Sequence, residues 1–422
     1  MASPDRDLPK RSDKTVLDAE KDGKGPGHST VSILRNSEGI LHSQQRKLVL
    51  HLDLNNTILL SDAITGQGPK AALNSYLSTV MWGKLSPTGR HQGSTSGDPD
   101  MISSPSPKMQ DSLLHVLGPS ARHQRGVRTR NKSEGEWETL SEVPSVLSPS
   151  EGAINFYTQF GRSDDFTNTS MGQRFKNIHS DHLHMLEWTY PPDKVFTLSE
   201  DGKSYHWILP SFFHLLKTLH LQGRHFSVVL RTFGTDLPKV LHALQCAVDG
   251  RHPQFPDFQM MSLPIDPTPG QIQCSKQEVV LTHGAECFST KTDETNVYKY
   301  FSSMEGIRGF RDHFDWWVKN AFSSKGGKPF WIDPHDPSVQ HIFIDDNIRL
   351  NEGDCIVQTK VCMEGNPCQT IGVSELYNVC LVQTDLLRAI SEKDYFLECI
   401  RICEERYTDY INNFKPAVQT LT

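Results

Sequence analysis

The sequence predicts an α/β protein built on a doubly wound, mainly parallel sheet. Two observations lead to this prediction. Residues 48–52 form a short apolar run that only His51 interrupts, and strands that are covered on both faces have such runs. From residue 208 onward, helical patterns alternate with further apolar runs, as expected where helices connect parallel strands.

The segment after the first strand predicts a helix and then an insertion. Residues 69–85 begin with a proline and repeat apolar side chains at helical spacing. Residues 86–150 are rich in Ser, Pro, Gly and Arg, a composition typical of segments that do not pack. Residues 151–205 regain apolar anchors such as Phe156 and Trp188. We therefore expect a cap-type insertion that folds back over the crevice at the strand ends.

Regular alternation resumes with a helix that begins at Pro210 and ends before Gly223. A second helix is expected through residues 239–244, and an amphipathic helix over about 392–414 is expected to pack on the sheet. The further strands are predicted over residues 226–231, 339–344 and 378–383. In this scheme residues 1–45 form a disordered tail, and the core consists of residues 46–85 and 206–415.

Composition restricts the class of partner. Apolar residues make up 36% of the 422, below the roughly 45–50% of packed globular chains, which agrees with an unpacked tail and insertion. The net charge of −7 gives no overall attraction to nucleic acids or to anionic membranes. No apolar run approaches the ~18 residues that span a bilayer, so we expect a cytoplasmic protein. Its nine cysteines are then expected to be reduced thiols.

Candidate catalytic residues lie just beyond the predicted strands. Asp53 follows the first strand, Thr232 follows the second, and the pair Asp345 and Asp346 follows the third. Because the carboxyl ends of parallel strands share one edge of a sheet, these side chains are expected to face one crevice. Adjacent carboxylates repel one another unless a cation neutralises them, so the acidic pair indicates a metal site.

This order of residues, together with Lys328, resembles the haloacid dehalogenase-like (HAD-like) superfamily. Its motifs are a nucleophilic Asp after the first strand, a Ser or Thr after the second, a Lys, and an acidic motif after a later strand. The resemblance covers about residues 46–62 and 206–385. It implies a Rossmann-like core and phosphoryl transfer on a small phosphorylated molecule, with Mg²⁺ as the cofactor.

The resemblance also implies a role for each matching residue. Asp53 would be the nucleophile and a Mg²⁺ ligand, and the backbone carbonyl of Asn55 would be a second ligand. Asp346 is the preferred further ligand, with Asp345 beside it next to the lysine.

Two further residues would contact the transferred phosphoryl group. Thr232 would donate its hydroxyl to that group, and Lys328 would neutralise its charge. Lys325, in the same Gly-rich turn, is an alternative to Lys328.

Asn55 departs from the pattern, because phosphatases of the superfamily usually have a second Asp there as general acid and base. An amide cannot transfer a proton, and such catalysis contributes roughly 10²–10⁴ in rate. The sequence thus supports two hypotheses. One is a slow hydrolase or phosphotransferase, and the other is an inactive relative that binds a phosphorylated ligand or, through its low-complexity insertion, a protein partner.

Overall fold

The structure of the chain is a computed structural model. It describes residues 46–60, 66–85, 137–333, 336–350, 355–363 and 367–413. The predicted tail over residues 1–45 and residues 86–136 of the low-complexity insertion lie outside these ranges.

Sixteen strands are found in the described ranges. They are β1 Lys47–Asp53, β2 Trp82–Leu85, β3 Trp137–Thr139, β4 Ile154–Asn155, β5 Thr197–Glu200, β6 Lys203–His206, β7 Phe226–Thr232, β8 Gly270–Cys274, β9 Val279–His283, β10 Glu286–Ser289, β11 Gly306–Arg311, β12 Lys328–Ile332, β13 Val339–Asp345, β14 Val357–Val361, β15 Gln369–Thr370 and β16 Leu381–Gln383.

Ten α-helices accompany the strands in the same ranges. They are α1 Pro69–Thr79, α2 Phe156–Phe160, α3 Lys176–Met185, α4 Pro210–Leu221, α5 Leu237–Val248, α6 Thr295–Ser303, α7 Phe314–Lys319, α8 Val373–Leu376, α9 Leu386–Ser391 and α10 Tyr395–Asn413. None of these helices has the length and apolar character needed to cross a membrane.

The main sheet has eight strands in the order β10-β9-β8-β11-β7-β1-β13-β16. All pairs from β8 through β11, β7, β1 and β13 to β16 are parallel. Only β8, β9 and β10 pair antiparallel at one edge. The α/β class and the mainly parallel sheet predicted from the sequence are therefore confirmed.

Side-chain alternation along β1 explains why both faces of the sheet are covered. Leu48, Leu50 and Leu52 pack on one face, in a core shared with α1, α4, α5, α9 and α10. Val49 points to the opposite face and packs with side chains of α6 and of β12. A strand buried on both faces requires an apolar run rather than an alternating pattern, which is what residues 48–52 provide.

Three predicted element boundaries are wrong. The helix predicted over residues 69–85 ends at Thr79, because the following residues form β2, which pairs antiparallel with β3 and β4. The strand predicted from residue 378 begins only at Leu381, since Asn378 has a left-handed φ of 58° and its N–H closes a turn on Leu381. The last helix begins at Tyr395 rather than residue 392, and residue 414 lies outside the described ranges.

The segment between β1 and β7, called the insertion from here on, includes α1 and β2 as well as residues 86–205, and it contains ordered structure of its own. Besides the small sheet β3-β2-β4, it has the hairpin of β5 and β6. That hairpin turns at Asp201 and Gly202, both with positive φ, as a tight two-residue turn requires. The insertion contacts the core through α1, whose Tyr76 hydroxyl accepts a hydrogen bond from the N–H of Leu386 at 3.0 Å.

The expectation that all nine cysteines are free thiols is wrong for one pair. Cys362 and Cys368 form a disulfide, because the chain returns from β14 to β15 and brings their Cα atoms to 4.2 Å. The other seven cysteines are free, and only Cys287 among them is exposed.

A hydrogen-bonded chain of buried side chains crosses the sheet below the carboxyl edge. Nδ1 of His51 faces Nη1 of Arg231, which can only donate, at 3.5 Å. Nε2 of His51 therefore carries the hydrogen and donates to Nδ1 of His341 at 3.1 Å. Nε2 of His341 in turn donates to Ser302, whose own hydroxyl donates to the carbonyl of Tyr298. Both imidazoles are thus held neutral, each as the Nε2–H tautomer.

Burial lowers the pKa of His51 well below its usual value and lowers that of His341 to about 3. In the unfolded chain these groups take up protons near pH 6.5. Folding stability therefore falls as the pH drops below about 6.5, by roughly 1.4 kcal/mol per pH unit for each proton taken up.

We expect His341→Gln to make this acid destabilisation shallower by about one proton, because glutamine does not titrate. Urea unfolding measured at intervals between pH 7 and pH 4.5 tests it. The variant should be the less stable protein at pH 7, since ring packing is lost, and its stability should approach that of the wild type as the pH falls. His184→Gln, at an exposed histidine of α3, is the control and should retain the wild-type slope. If the slope of stability against pH is unchanged in His341→Gln, the inference that His341 is neutral in the folded protein is wrong.

Candidate active site

The acidic residues predicted from the sequence lie together at the carboxyl edge of the main sheet. Asp53 ends β1 and Asp345 ends β13, and these two strands are parallel neighbours. Asp346 is the first residue beyond β13. One carboxylate oxygen from each of the three lies within 4.8 Å of the others, and all three residues are buried. The structure therefore forms a cluster of three carboxylates at the predicted position.

Holding these carboxylates together in a buried site raises the pKa values of Asp53 and Asp345. Burial raises the pKa of Asp53 well above its usual value, and the charges of Asp345 and Asp346 raise it further against the opposing effect of Lys328. Burial likewise raises the pKa of Asp345, and the charge of Asp346 adds to the rise. A cation bound among the three oxygens would relieve this repulsion.

Lys328, the first residue of β12, supplies a positive charge from inside the protein. Its side chain is 1% exposed, and Nζ donates to Oδ1 of Asp53 at 2.5 Å and to Oδ2 of Asp345 at 2.8 Å. Burial lowers the pKa of Lys328, but the charges of Asp345 and Asp53 outweigh burial and the net shift is upward. The alternative lysine, Lys325, is exposed on the preceding turn.

Asp346 is oriented by two asparagines. Nδ2 of Asn56 donates to its Oδ2 at 3.2 Å, and Nδ2 of Asn347 donates to its Oδ1 at 2.7 Å. Asn56 has a left-handed φ of 56°, which asparagine adopts more readily than most residues. The sequence analysis missed both asparagines, although each is adjacent in sequence to a predicted site residue.

The cluster fits a metal that prefers oxygen ligands. The available donors are carboxylate oxygens, and the side-chain Oδ1 of Asn55 is a buried acceptor to which no described residue donates. Hard divalent cations take such oxygens from carboxylates, amides and backbone carbonyls. Asp53, Asp345 and Asp346 are therefore the described residues that could hold a metal ion.

Thr232 ends β7, on the other side of β1 from β13. It is 2% exposed, and its Oγ1 accepts a hydrogen bond from the N–H of Gly234 at 2.9 Å. A hydroxyl that accepts one bond still has its own hydrogen to donate. The turn after β7 thus fixes the position of Thr232 without using its donor.

Comparisons of the chain with protein-family models, with curated proteins and with solved structures found no match. The chemistry of the site consequently has to be inferred from its own residues.

A buried ion pair that was not predicted from the sequence fixes the backbone next to Lys328. Arg231, the residue before Thr232, donates through Nε and Nη2 to both carboxylate oxygens of Asp312, at 2.9 and 2.5 Å. Nη2 also donates to the carbonyl of Pro329 at 3.1 Å. Because Pro329 directly follows Lys328, this contact fixes the backbone from which the ammonium extends. The only sign of this ion pair in the sequence was an arginine within an apolar strand.

We expect Asp53→Asn to stabilise the metal-free protein by about 1 kcal/mol at pH 7, because it removes one of three repelling charges while Oδ1 can still accept from Lys328. The folded-state pKa of Asp53 lies above the unfolded value of 3.8, so ionising Asp53 costs the wild type stability as the pH rises. The advantage of the variant should thus be absent near pH 4 and grow with pH. Urea unfolding in EDTA measures it.

Asp257→Asn is the control for this comparison. Asp257 forms an exposed ion pair with Lys217, so its loss should change stability by less than about 0.5 kcal/mol. If Asp53→Asn is less stable than the wild type at pH 7, the expectation is wrong, and the attraction of Lys328 for Asp53 exceeds the repulsion among the three carboxylates.

Proposed function

We propose that the protein is a Mg²⁺-dependent HAD-like enzyme that transfers a phosphoryl group from a small phosphorylated substrate through Asp53. The position of Lys328 carries this proposal. Its ammonium binds Asp53 and Asp345 together, at a sheet edge where a third carboxylate completes an acidic cluster. A nucleophilic carboxylate with a cation against one oxygen and a metal-binding cluster against the other suits attack on an anionic phosphoryl group.

The HAD-like fold is part of the same proposal. Support comes from the order of the strands, because the motif residues follow β1 and its two parallel neighbours, β7 and β13. The nucleophile, the hydroxyl and the acidic pair therefore share one edge, as the resemblance in sequence implies.

Mg²⁺ would be held by Asp53, Asp346 and the backbone carbonyl of Asn55, with Asp345 close by. When bound, it would neutralise the carboxylates and draw charge from the phosphoryl oxygens. Asn56 and Asn347 would keep the carboxylate of Asp346 oriented toward it.

The reaction has two displacements at phosphorus. The Asp53 carboxylate attacks, a bond forms between its oxygen and phosphorus, and the bond from phosphorus to the leaving oxygen breaks. Lys328 and Thr232 offset the charge on the transferred group. Water or an acceptor hydroxyl then attacks the aspartyl phosphate, releases its proton to solvent, and the bond to Asp53 breaks.

Asn55 sets the rate in this scheme. The leaving oxygen must take its proton from solvent, because the amide of Asn55 cannot supply one. We therefore propose a weak phosphatase, efficient only where the leaving group needs no protonation or where an acceptor replaces water.

The same residue favours a second candidate function. If the missing acid abolishes turnover, the site would hold a phosphorylated ligand without cleaving it, and the protein would act as a binding partner, with the insertion as a further contact surface. We also propose a cytoplasmic location, because seven of the nine cysteines are free thiols and only Cys362 and Cys368 are paired.

We expect the wild type to hydrolyse at least one member of a panel of small phosphomonoesters with Mg²⁺ faster than Asp53→Asn does. Asn55→Asp should raise this rate by about 10²-fold or more, because it restores a positioned acid beside an intact site. Released phosphate is the measurement. Asn56→Asp is the matched control, since it adds the same charge one residue later, against Asp346, and should give no gain.

Two outcomes separate the candidates. Turnover by Asn55→Asp alone would assign the wild type to the binding function and show the remaining groups to be intact. If neither the wild type nor Asn55→Asp exceeds Asp53→Asn on any substrate, the enzymatic proposal is wrong.

A further inference from the structure

A small crevice opens beside Asp346, between the core and the insertion. Much of it is open to solvent, and its enclosed part has room for about one water molecule. Its wall from the insertion includes Tyr76 and Thr79 of α1 and Trp82 of β2. The core contributes Asp346 itself and three further polar side chains, those of Arg349, Gln383 and Thr384. The crevice therefore begins at the acidic cluster and continues under the insertion.

The aromatic wall of the crevice is held in place by hydrogen bonds. The Tyr76 hydroxyl accepts from the N–H of Leu386 at 3.0 Å, and the indole N–H of Trp82 donates to the carbonyl of Ser145 at 2.7 Å. Tyr76 is also 5% exposed, so its ring has little freedom to move. These two side chains shape the crevice and carry no formal charge into it.

Arg349 is the cation that lines the crevice. Its Nη1 donates to the backbone carbonyl of Asp346 at 2.7 Å, and the side-chain amide of Gln383 lies against the same nitrogen. Its Nε and Nη2 donate to no described residue, and it forms no ion pair with a described carboxylate. An arginine that is positioned through one nitrogen, and whose Nε and Nη2 donate to none of the described residues, is suited to bind a carboxylate or a phosphoryl group.

From this arrangement we infer that the substrate carries a second anionic group, a carboxylate or another phosphoryl group, which binds Arg349. The inference rests on the proposed function, which puts the transferred phosphoryl group at Asp53. The second group would then bind beside Asp346, because Arg349 lines the same crevice and contacts the backbone of Asp346.

Three stable phosphonates test this inference without turnover. Methylphosphonate has one anionic group, phosphonoacetate adds a carboxylate, and methylenediphosphonate adds a second phosphonate. Their affinities for the full chain are measured calorimetrically in Mg²⁺. We expect at least one of the doubly anionic probes to bind about tenfold more tightly than methylphosphonate, and the tighter of the two identifies the second group.

The ratio of these affinities should fall to about one in Arg349→Met. Chelation of Mg²⁺ by the probes is the same for both proteins, so it cancels from the comparison. Lys325→Met, which removes an exposed charge, is the control and should keep the wild-type ratio. If Arg349→Met lacks a cooperative thermal transition, Arg349→Gln replaces it, because an amide can still donate to the carbonyl of Asp346.

Three results would overturn the inference. Equal binding of all three probes to the wild type would leave a phosphoryl site without a second anionic subsite. An unchanged ratio in the arginine variant, with every affinity reduced alike, would show that Arg349 only positions the turn of Asp346. Failure of every probe to bind in Mg²⁺ would also remove the proposed function on which the inference rests.

Discussion

The buried ammonium of Lys328 is the contact on which the rest of the site depends. It joins the first residue of β12, which belongs to a separate small sheet, to the last residues of two adjacent strands of the main sheet. With all groups ionised, three carboxylates and one ammonium leave a formal charge of −2 in a buried crevice. Such a charge persists only where a cation or proton compensates it, as the raised pKa of Asp53 shows.

A second set of buried polar groups lies beneath this contact and fixes its geometry. Arg231, near the end of β7, pairs with Asp312, which lies just beyond β11. The hydrogen bond between His51 and His341 continues this set across β1 and β13. Each donor in this set faces an acceptor, so the polar groups specify the register of the strands as well as satisfying one another. One face of β1 is therefore wholly apolar, whereas the other combines the apolar Val49 with the hydrogen-bonded His51.

Much of the core could be predicted because its signals are local. Asp53, Asp345 and Asp346 follow apolar runs directly, and Lys328 precedes another. Other features depend on tertiary contacts that a single pattern does not report. β11 contains Gly306, Gly309 and two arginines and so lacks an apolar run, yet Gly306 is required because its φ is 69° and a Cβ there would meet the carbonyl oxygen of Pro264 at 2.1 Å. The Cys362–Cys368 disulfide and the end of α1 likewise depend on how distant strands pair.

The crevice is built from two parts of the chain, one of which supplies its charged groups and the other its aromatic wall. The acids, the lysine and Arg349 belong to the core, where each is tied to neighbouring strands, whereas Tyr76 and Trp82 belong to the insertion and contribute only shape. Changes of sequence at Tyr76 or Trp82 would therefore alter the shape of the crevice while leaving the charges beside it in place. Such a division would let the shape of the crevice diverge between descendants of one ancestral gene while the charged cluster is inherited intact.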